Sequence, residues 1–152
     1  MADALPPLKP LEKRAALSAP RALVWRALTD PKELATWFGR DARVDLRIDG
    51  RYEILFLMEN PPGLQGGEGN TVQNFEPERL LHITWNAPPQ FGALRDVRTQ
   101  VHFELCDADS GTTVRLIHDG WGDGPEWAEI RTYFDRAWDH VLSALNTHVS
   151  SL

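Results

Sequence analysis

The stretch that decides the fold is Pro125–Val149, PEWAEIRTYFDRAWDHVLSALNTHV. Pro125 follows the breaker run Gly122-Asp123-Gly124 and stands where a first helical residue belongs. Glu126 and Glu129 fill the opening turn, where the helix dipole favours negative charge. Trp127, Ile130, Phe134, Ala137, Trp138, Val141, Leu145 and Val149 then recur at steps of three and four. At 100° per residue they cover an arc of about 100–120°, a stripe wide enough to lie on a sheet. The other side carries Glu129, Thr132, Arg136, Ser143 and Thr147. Such a helix is about 37 Å long, against a usual length of about 11–12 residues. Something large must lie beneath it.

Working outward, most of the remaining chain reads as strand. From Ala42 the period is two: Val44, Leu46 and Ile48 alternate with Arg43, Asp45 and Arg47. Asp49-Gly50 is a two-residue hairpin signal, answered by Tyr52, Ile54, Phe56 and Met58 on one face of Arg51–Met58. Asn60–Gly69 is a loop by composition. Strands follow over 70–75, 80–85, 97–105 and 112–119, with a Pro/Gly-bearing loop over 86–94. Ahead of them, Glu12–Ser18 reads as a first strand. Pro20 opens a helical stretch over 21–28, with Ser18 a better cap than Ala19. Asp30-Pro31 caps and starts a second short helix carrying Leu34, Trp37 and Phe38, and Gly39 ends it. Residues 1–11, with Pro6, Pro7 and Pro10, form an extended or disordered lead, and 12–152 form a single domain.

The expected class is α+β. One curved antiparallel sheet of about six to seven strands wraps a long C-terminal helix, with two short helices after the first strand. Alternating strands leave one face wet and one buried, and the long stripe is the surface that covers the buried face. A twisted sheet around a helix leaves room for a gap between them.

The totals exclude several classes. The 152 residues are 25% charged and 42% hydrophobic, ordinary for a folded domain. Cys106 is the single cysteine, so no internal disulfide forms, and a reducing, cytoplasmic setting is expected. No apolar run is long enough for membrane insertion. A net charge of −6 argues against nucleic acid as partner. Six tryptophans suit cores, pockets and interfaces.

A family resemblance rests on a series of motifs in order. Ala19-Pro20-Arg21-Ala22-Leu23-Val24-Trp25-Arg26-Ala27-Leu28-Thr29-Asp30-Pro31 is followed by Trp37-Phe38, Gly50-Arg51-Tyr52 and Glu76-Pro77-Glu78-Arg79-Leu80. Thr84-Trp85, Gly111-Thr112-Thr113-Val114 and His118-Asp119-Gly120 come next, then Trp138 with Leu142 and Leu145. Over roughly 12–149 the chain resembles the START-like, helix-grip superfamily. Within it, the chain is most similar to proteins like the activator of heat shock protein 90 ATPase. The resemblance implies a sheet gripping the terminal helix around a cavity. It also implies one of several roles: binding of lipids, quinones or aromatic polyketides, polyketide cyclisation, or co-chaperone activity in a stress response.

The residues themselves narrow the chemistry. His82, His102, His118, His140 and His148 are scattered without metal-ligand spacing, so no metal site is assigned. No phosphate loop and no nucleophile elbow occur, and neither a cofactor nor a catalytic residue is assigned. A small hydrophobic ligand, lipid-like or aromatic, is the expected partner. Tyr52, Ile54, Phe56, Trp85, Val101, Phe103, Leu116, Trp127, Phe134 and Trp138 are its expected walls, with Trp37 and Phe38 at the mouth. The plain alternative for each aromatic is a filled core. His118 shares the face of Val114 and Leu116, as a cavity donor or as a satisfied core histidine. Arg131 lies at the edge of the helix stripe, either paired with Asp135 one turn on or offered to a ligand. An enzyme of cyclase or hydrolase type would use His118 with Arg131 or Tyr52 in the same cavity. A chaperone-interacting protein would instead show a filled core and an exposed apolar patch; beside a ligand, the expected partners are a chaperone or a second copy in a homodimer.

Overall fold

The computed structural model describes residues 7–152. The part of the lead that falls on residues 1–6 lies outside the described residues. Seven strands and three α-helices follow in the order β1 (Leu11–Leu17), α1 (Arg21–Thr29), α2 (Pro31–Trp37), β2 (Asp41–Val44), β3 (Tyr52–Leu55), β4 (Val72–Glu76), β5 (Leu80–Trp85), β6 (Thr99–Ala108), β7 (Gly111–Asp119) and α3 (Pro125–Ser150). A 3₁₀ stretch, Pro89–Asp96, broken at Gly92, occupies the expected loop between β5 and β6.

The α+β, helix-grip arrangement is present, but the strands do not form one sheet. Five pair antiparallel in the order β1-β7-β6-β5-β4, and β2-β3 form a separate hairpin. β4 shifts register against β5 between Val72 and Asn74, a bulge that bends the strand. Beside β3 the chain passes through Gly66, Gly67 and Gly69, where the ladder is reduced to an isolated Leu55–Gly66 bridge. The hairpin stays attached by an Arg51–Thr71 bridge and by Tyr52 N–H donating to the Asn70 carbonyl at 2.8 Å.

Asp49-Gly50 is not a two-residue turn. The connection runs from Asp45 to Arg51, closed by the Asp45 amide on the Arg51 carbonyl at 2.8 Å. Asp49 takes φ 64°. A Cβ at Gly50 would lie 2.0 Å from the Asp45 carbonyl oxygen, so glycine is required there. Ile48, Met58 and Val97, expected in strands, lie outside them and are exposed. Ser18 does not cap α1: the N-cap is Pro20, without a side-chain bond. Asp30 does cap α2, accepting from the Lys32 amide at 2.8 Å.

The stripe of α3 lies on the sheet. Trp127, Ile130, Phe134, Trp138, Leu142, Leu145 and Val149 are all buried. They meet Val101, Phe103, Leu105, Val114 and Leu116 from β6 and β7, and Val24, Ala27 and Leu28 from α1. On the β1 side α3 is strapped down. Lys13 pairs with Asp135 and, at 3.1 Å, with Asp139.

Candidate functional site

Beneath the middle of α3 the interior is solid. Tyr52, Ile54, Val101, Phe103, Leu116 and Trp127 are fully or nearly fully buried in one core cluster. The phenol of Tyr52 donates to the Leu28 carbonyl at 2.6 Å, and burial raises its pKa well above the usual tyrosine range. These six residues therefore pack the fold instead of lining open space.

The space lies to one side, on the flank of α3 away from β1. There a cleft of about 500 Å³ opens between α3, the end of β5 and the segment after β3. Five of the expected residues line it: Phe38, Phe56, Trp85, Phe134 and Trp138. Their rings touch in series, with Phe38 against Phe56 at 5.6 Å and against Trp85 at 5.9 Å. Trp85 meets Trp138 at 5.8 Å, and Trp138 meets Phe134 at 6.2 Å. Ala137 and Val141 on α3 supply a shallow apolar side, and Tyr133, His140 and Gln90 add polar groups. Gly66, Gly67 and Asn86 form the facing wall.

Trp37 packs on its neighbour Phe38, ring to ring at 4.9 Å, but does not line the cleft. Its indole donates to the Ala27 carbonyl at 2.8 Å and its ring stacks on His148. Trp121 covers His118, ring to ring at 4.2 Å.

His118 is wholly buried and fully bonded. An indole N–H can only donate, so Trp138 Nε1 gives its hydrogen to His118 Nδ1 at 2.9 Å. The proton of the neutral ring therefore sits on Nε2 and goes to Thr99 Oγ1 at 2.7 Å. Thr99 in turn donates to the Trp85 carbonyl at 3.2 Å. Burial pushes the His118 pKa down to about 3, which keeps the ring neutral. The relay ties Trp138 to the backbone of Trp85, two residues of the cleft, and leaves His118 no free nitrogen for a ligand.

Arg131 reaches neither the cleft nor Asp135. Its Nε donates to the Lys9 carbonyl at 2.7 Å and its Nη2 to the Pro10 carbonyl at 3.2 Å, on the β1 side. Lys13 occupies Asp135 and holds its carboxyl below the usual carboxylate range. His118, Arg131 and Tyr52 are not brought into one cavity.

The sequence reading missed the facing wall. Asn86 Nδ2 donates to the Gly66 carbonyl at 2.9 Å, and Asn86 Oδ1 accepts from Asn70 at 2.8 Å. Behind them the buried Arg95 donates to the carbonyls of Ala87 (3.1 Å), Gly63 (2.7 Å) and Gly66 (2.8 Å). Arg98 donates to the Glu68 carbonyl and to Asn70 Oδ1. Burial, and then the like charge of Arg95, lower the Arg98 pKa. A small residue, Ala137, set among large ones on an otherwise bulky stripe was the available sign of a gap on this side. Among the described residues no group of three or more His, Cys, Asp or Glu is placed to hold a metal ion.

The family model of the Activator of Hsp90 ATPase homolog 1-like proteins matches residues 18–150. No curated protein matches the sequence. Among solved structures, a protein of Mesorhizobium loti superposes with a TM-score of 0.76 at 22% identity, over 94% of this chain and 98% of that one. An AHSA1-like protein of Rhizobium etli is 25% identical, with a TM-score of 0.64 over 96% of this chain and 84% of its own. A Bacillus halodurans protein is 23% identical, with a TM-score of 0.68 over 93% and 97%.

Proposed function

The chain belongs to the Activator of Hsp90 ATPase homolog 1-like family, and from that premise we propose that it binds a small hydrophobic ligand, aromatic or lipid-like, in the cleft beside α3. The carrying observation is a space of about 500 Å³ walled by Phe38, Phe56, Trp85, Phe134 and Trp138, next to a core that is otherwise filled. That size and that mixture of apolar faces with a few polar groups suit a ligand of drug-like dimensions. Tyr133, Gln90 and His140 offer the polar contacts in place of His118 and Arg131. A reading as an enzyme has less support, since His118 spends both ring nitrogens on Thr99 and Trp138. We place the protein in the cytoplasm on its single cysteine, Cys106, which is exposed. Among the described residues no helix is long and apolar enough to cross a membrane.

The test is fluorescence titration with N-phenyl-1-naphthylamine, a neutral apolar dye, on wild type and Ala137→Trp. Ala137 is half-buried at the cleft wall, so an indole there fills the space without entering the core. Wild type should bind the dye. The variant should lose at least about tenfold in affinity while its unfolding free energy stays within about 1 kcal/mol of wild type. Equal binding by both proteins would remove the cleft from the reading. Native mass spectrometry of freshly purified protein would identify the class of any retained ligand.

A further inference from the structure

The facing wall of the cleft is built from a segment with little means of holding its own shape. Residues 61–69 contain neither helix nor strand, include Gly63, Gly66, Gly67 and Gly69, and expose Leu64. Backbone bonds join it to the end of β3, from Phe56 N–H to the Gln65 carbonyl and from Gly67 N–H to the Ile54 carbonyl, with a Leu55–Gly66 bridge, and polar side chains hold the rest. Glu68 accepts the amides of Gln65 and Gly66 at 2.9 Å each, and also that of Gly63. Arg95 takes the carbonyls of the same stretch, at Gly63 and Gly66, and joins them to Ala87, whose neighbours Asn86 and Pro88 line the cleft. The segment is thus gripped on its amides by an anion and on its carbonyls by a cation.

Arg95 is buried, and none of the ion pairs of 4.0 Å or less among the described residues involves it. Its charge is solvated by backbone carbonyls instead, and a planar fork with five donors suits such an arrangement. The wall in turn presses on the cleft. A Cβ at Gly66, where φ is +136°, would fall 2.6 Å from the ring of Phe56. Gly66 therefore packs directly on the Phe56 ring, and its position sets where that ring, which meets Phe38 at 5.6 Å, stands in the cleft lining.

We infer that Arg95 is a positioning residue of the cleft: through Gly63, Gly66 and Ala87 it sets the place of the wall, and so the bulk of apolar ligand the cleft admits. The inference rests on the ligand reading of the same cleft. A lysine at this position keeps the charge, but one ammonium cannot span three carbonyls in a fork. Arg95→Lys should therefore leave the fold and loosen the wall.

The experiment titrates the full chain with a small neutral dye, N-phenyl-1-naphthylamine, and a bulkier one, Nile red, and follows amide hydrogen exchange. In Arg95→Lys the small dye should bind about tenfold more weakly, because the wall is no longer preorganised. The preference for the small dye over the large one should shrink. Exchange should quicken at Gly63, Gln65 and Gly66 and stay unchanged in β6 and α3. General destabilisation would move exchange throughout and leave the preference between dyes intact. Unchanged affinity and unchanged preference in the variant overturn the inference while the ligand reading stands. Failure of Arg95→Lys to fold overturns it too, since Arg95 would then carry the fold and not the wall. If wild type binds neither dye, the ligand reading fails and the inference falls with it.

Discussion

The two flanks of α3 are built in opposite ways. On the β1 side the helix is fastened: Lys13 bridges Asp135 and Asp139, and Arg131 holds the carbonyls of Lys9 and Pro10. On the far side Tyr133, Ala137, His140 and Val141 border open space. The same apolar stripe serves both flanks, so the helix alone does not decide where the cleft lies. The sheet decides it. β1 pairs with β7 along seven residues, Leu11 to Leu17, and brings charged groups up to the helix. At the other edge β2-β3 stands apart from the five-stranded sheet, and its pairing falls to isolated bridges where the chain runs through the glycine-rich segment. A cavity forms where regular pairing stops.

The comparison can be broken first along the line between the flanks, at His118. Its folded pKa of about 3 lies below the ordinary 6.5. As pH falls through 6.5 the unfolded chain takes up a proton that the folded chain refuses, so stability declines and goes on declining toward pH 3. Between pH 7 and pH 4 the loss should be on the order of 3 kcal/mol. His102, lowered by burial and then by His82, adds a smaller slope of the same sign. Asp135 contributes only as pH falls below 3.8, because its folded pKa lies under that value. Urea denaturation at pH 4 and pH 7 should show most of the difference gone in His118→Gln. A full slope in that variant would mean the ring is not held neutral.

Next in size is the fastened flank. Lys13→Met leaves Asp135 and Asp139 without their shared cation. A cost of about 0.5–1 kcal/mol is expected for a pair this close to the surface, shrinking at high salt. Denaturant midpoints at about 50 mM and about 1 M salt, either side of the screening range, would read it. No salt dependence would make the strap incidental. The smallest effect belongs to Arg131→Ala. Its bonds are exposed, so stability should move by about 0.5 kcal/mol or less. Dye affinity should not move at all, since the guanidinium lies on the flank away from the cleft. A tenfold affinity loss there would erase the distinction between the two sides.

Periodicity carries direction, and direction proved enough for the fold. Steps of three and four in Pro125–Val149, and steps of two in the strands, told which side chains face inward. They do not tell whether inward means packed or open. Phe103, Leu116 and Trp127 read the same as Phe134 and Trp138, yet the first three fill the core and the last two reach the cleft. The angular count set Arg131 at an edge of the stripe, where it is, but an angle does not name the neighbour. That neighbour is the carbonyl pair of Lys9 and Pro10, 121 or more residues away in the chain. The wall was least visible, because Gly63–Gly67 and Asn86–Gln90 have no period. Their order comes from a few backbone bonds to the end of β3 and from Glu68, Arg95 and Asn86, polar contacts that hydropathy patterns do not register.

The relay through His118 has a spectroscopic consequence. Of the chain's six indoles, Trp85 and Trp138 stand at the cleft 5.8 Å apart, one of them with its N–H fixed on an imidazole. Light absorbed by either ring is emitted from the surface a ligand would cover. The protein's native fluorescence is therefore an optical signal for occupancy of the cleft, with no label attached.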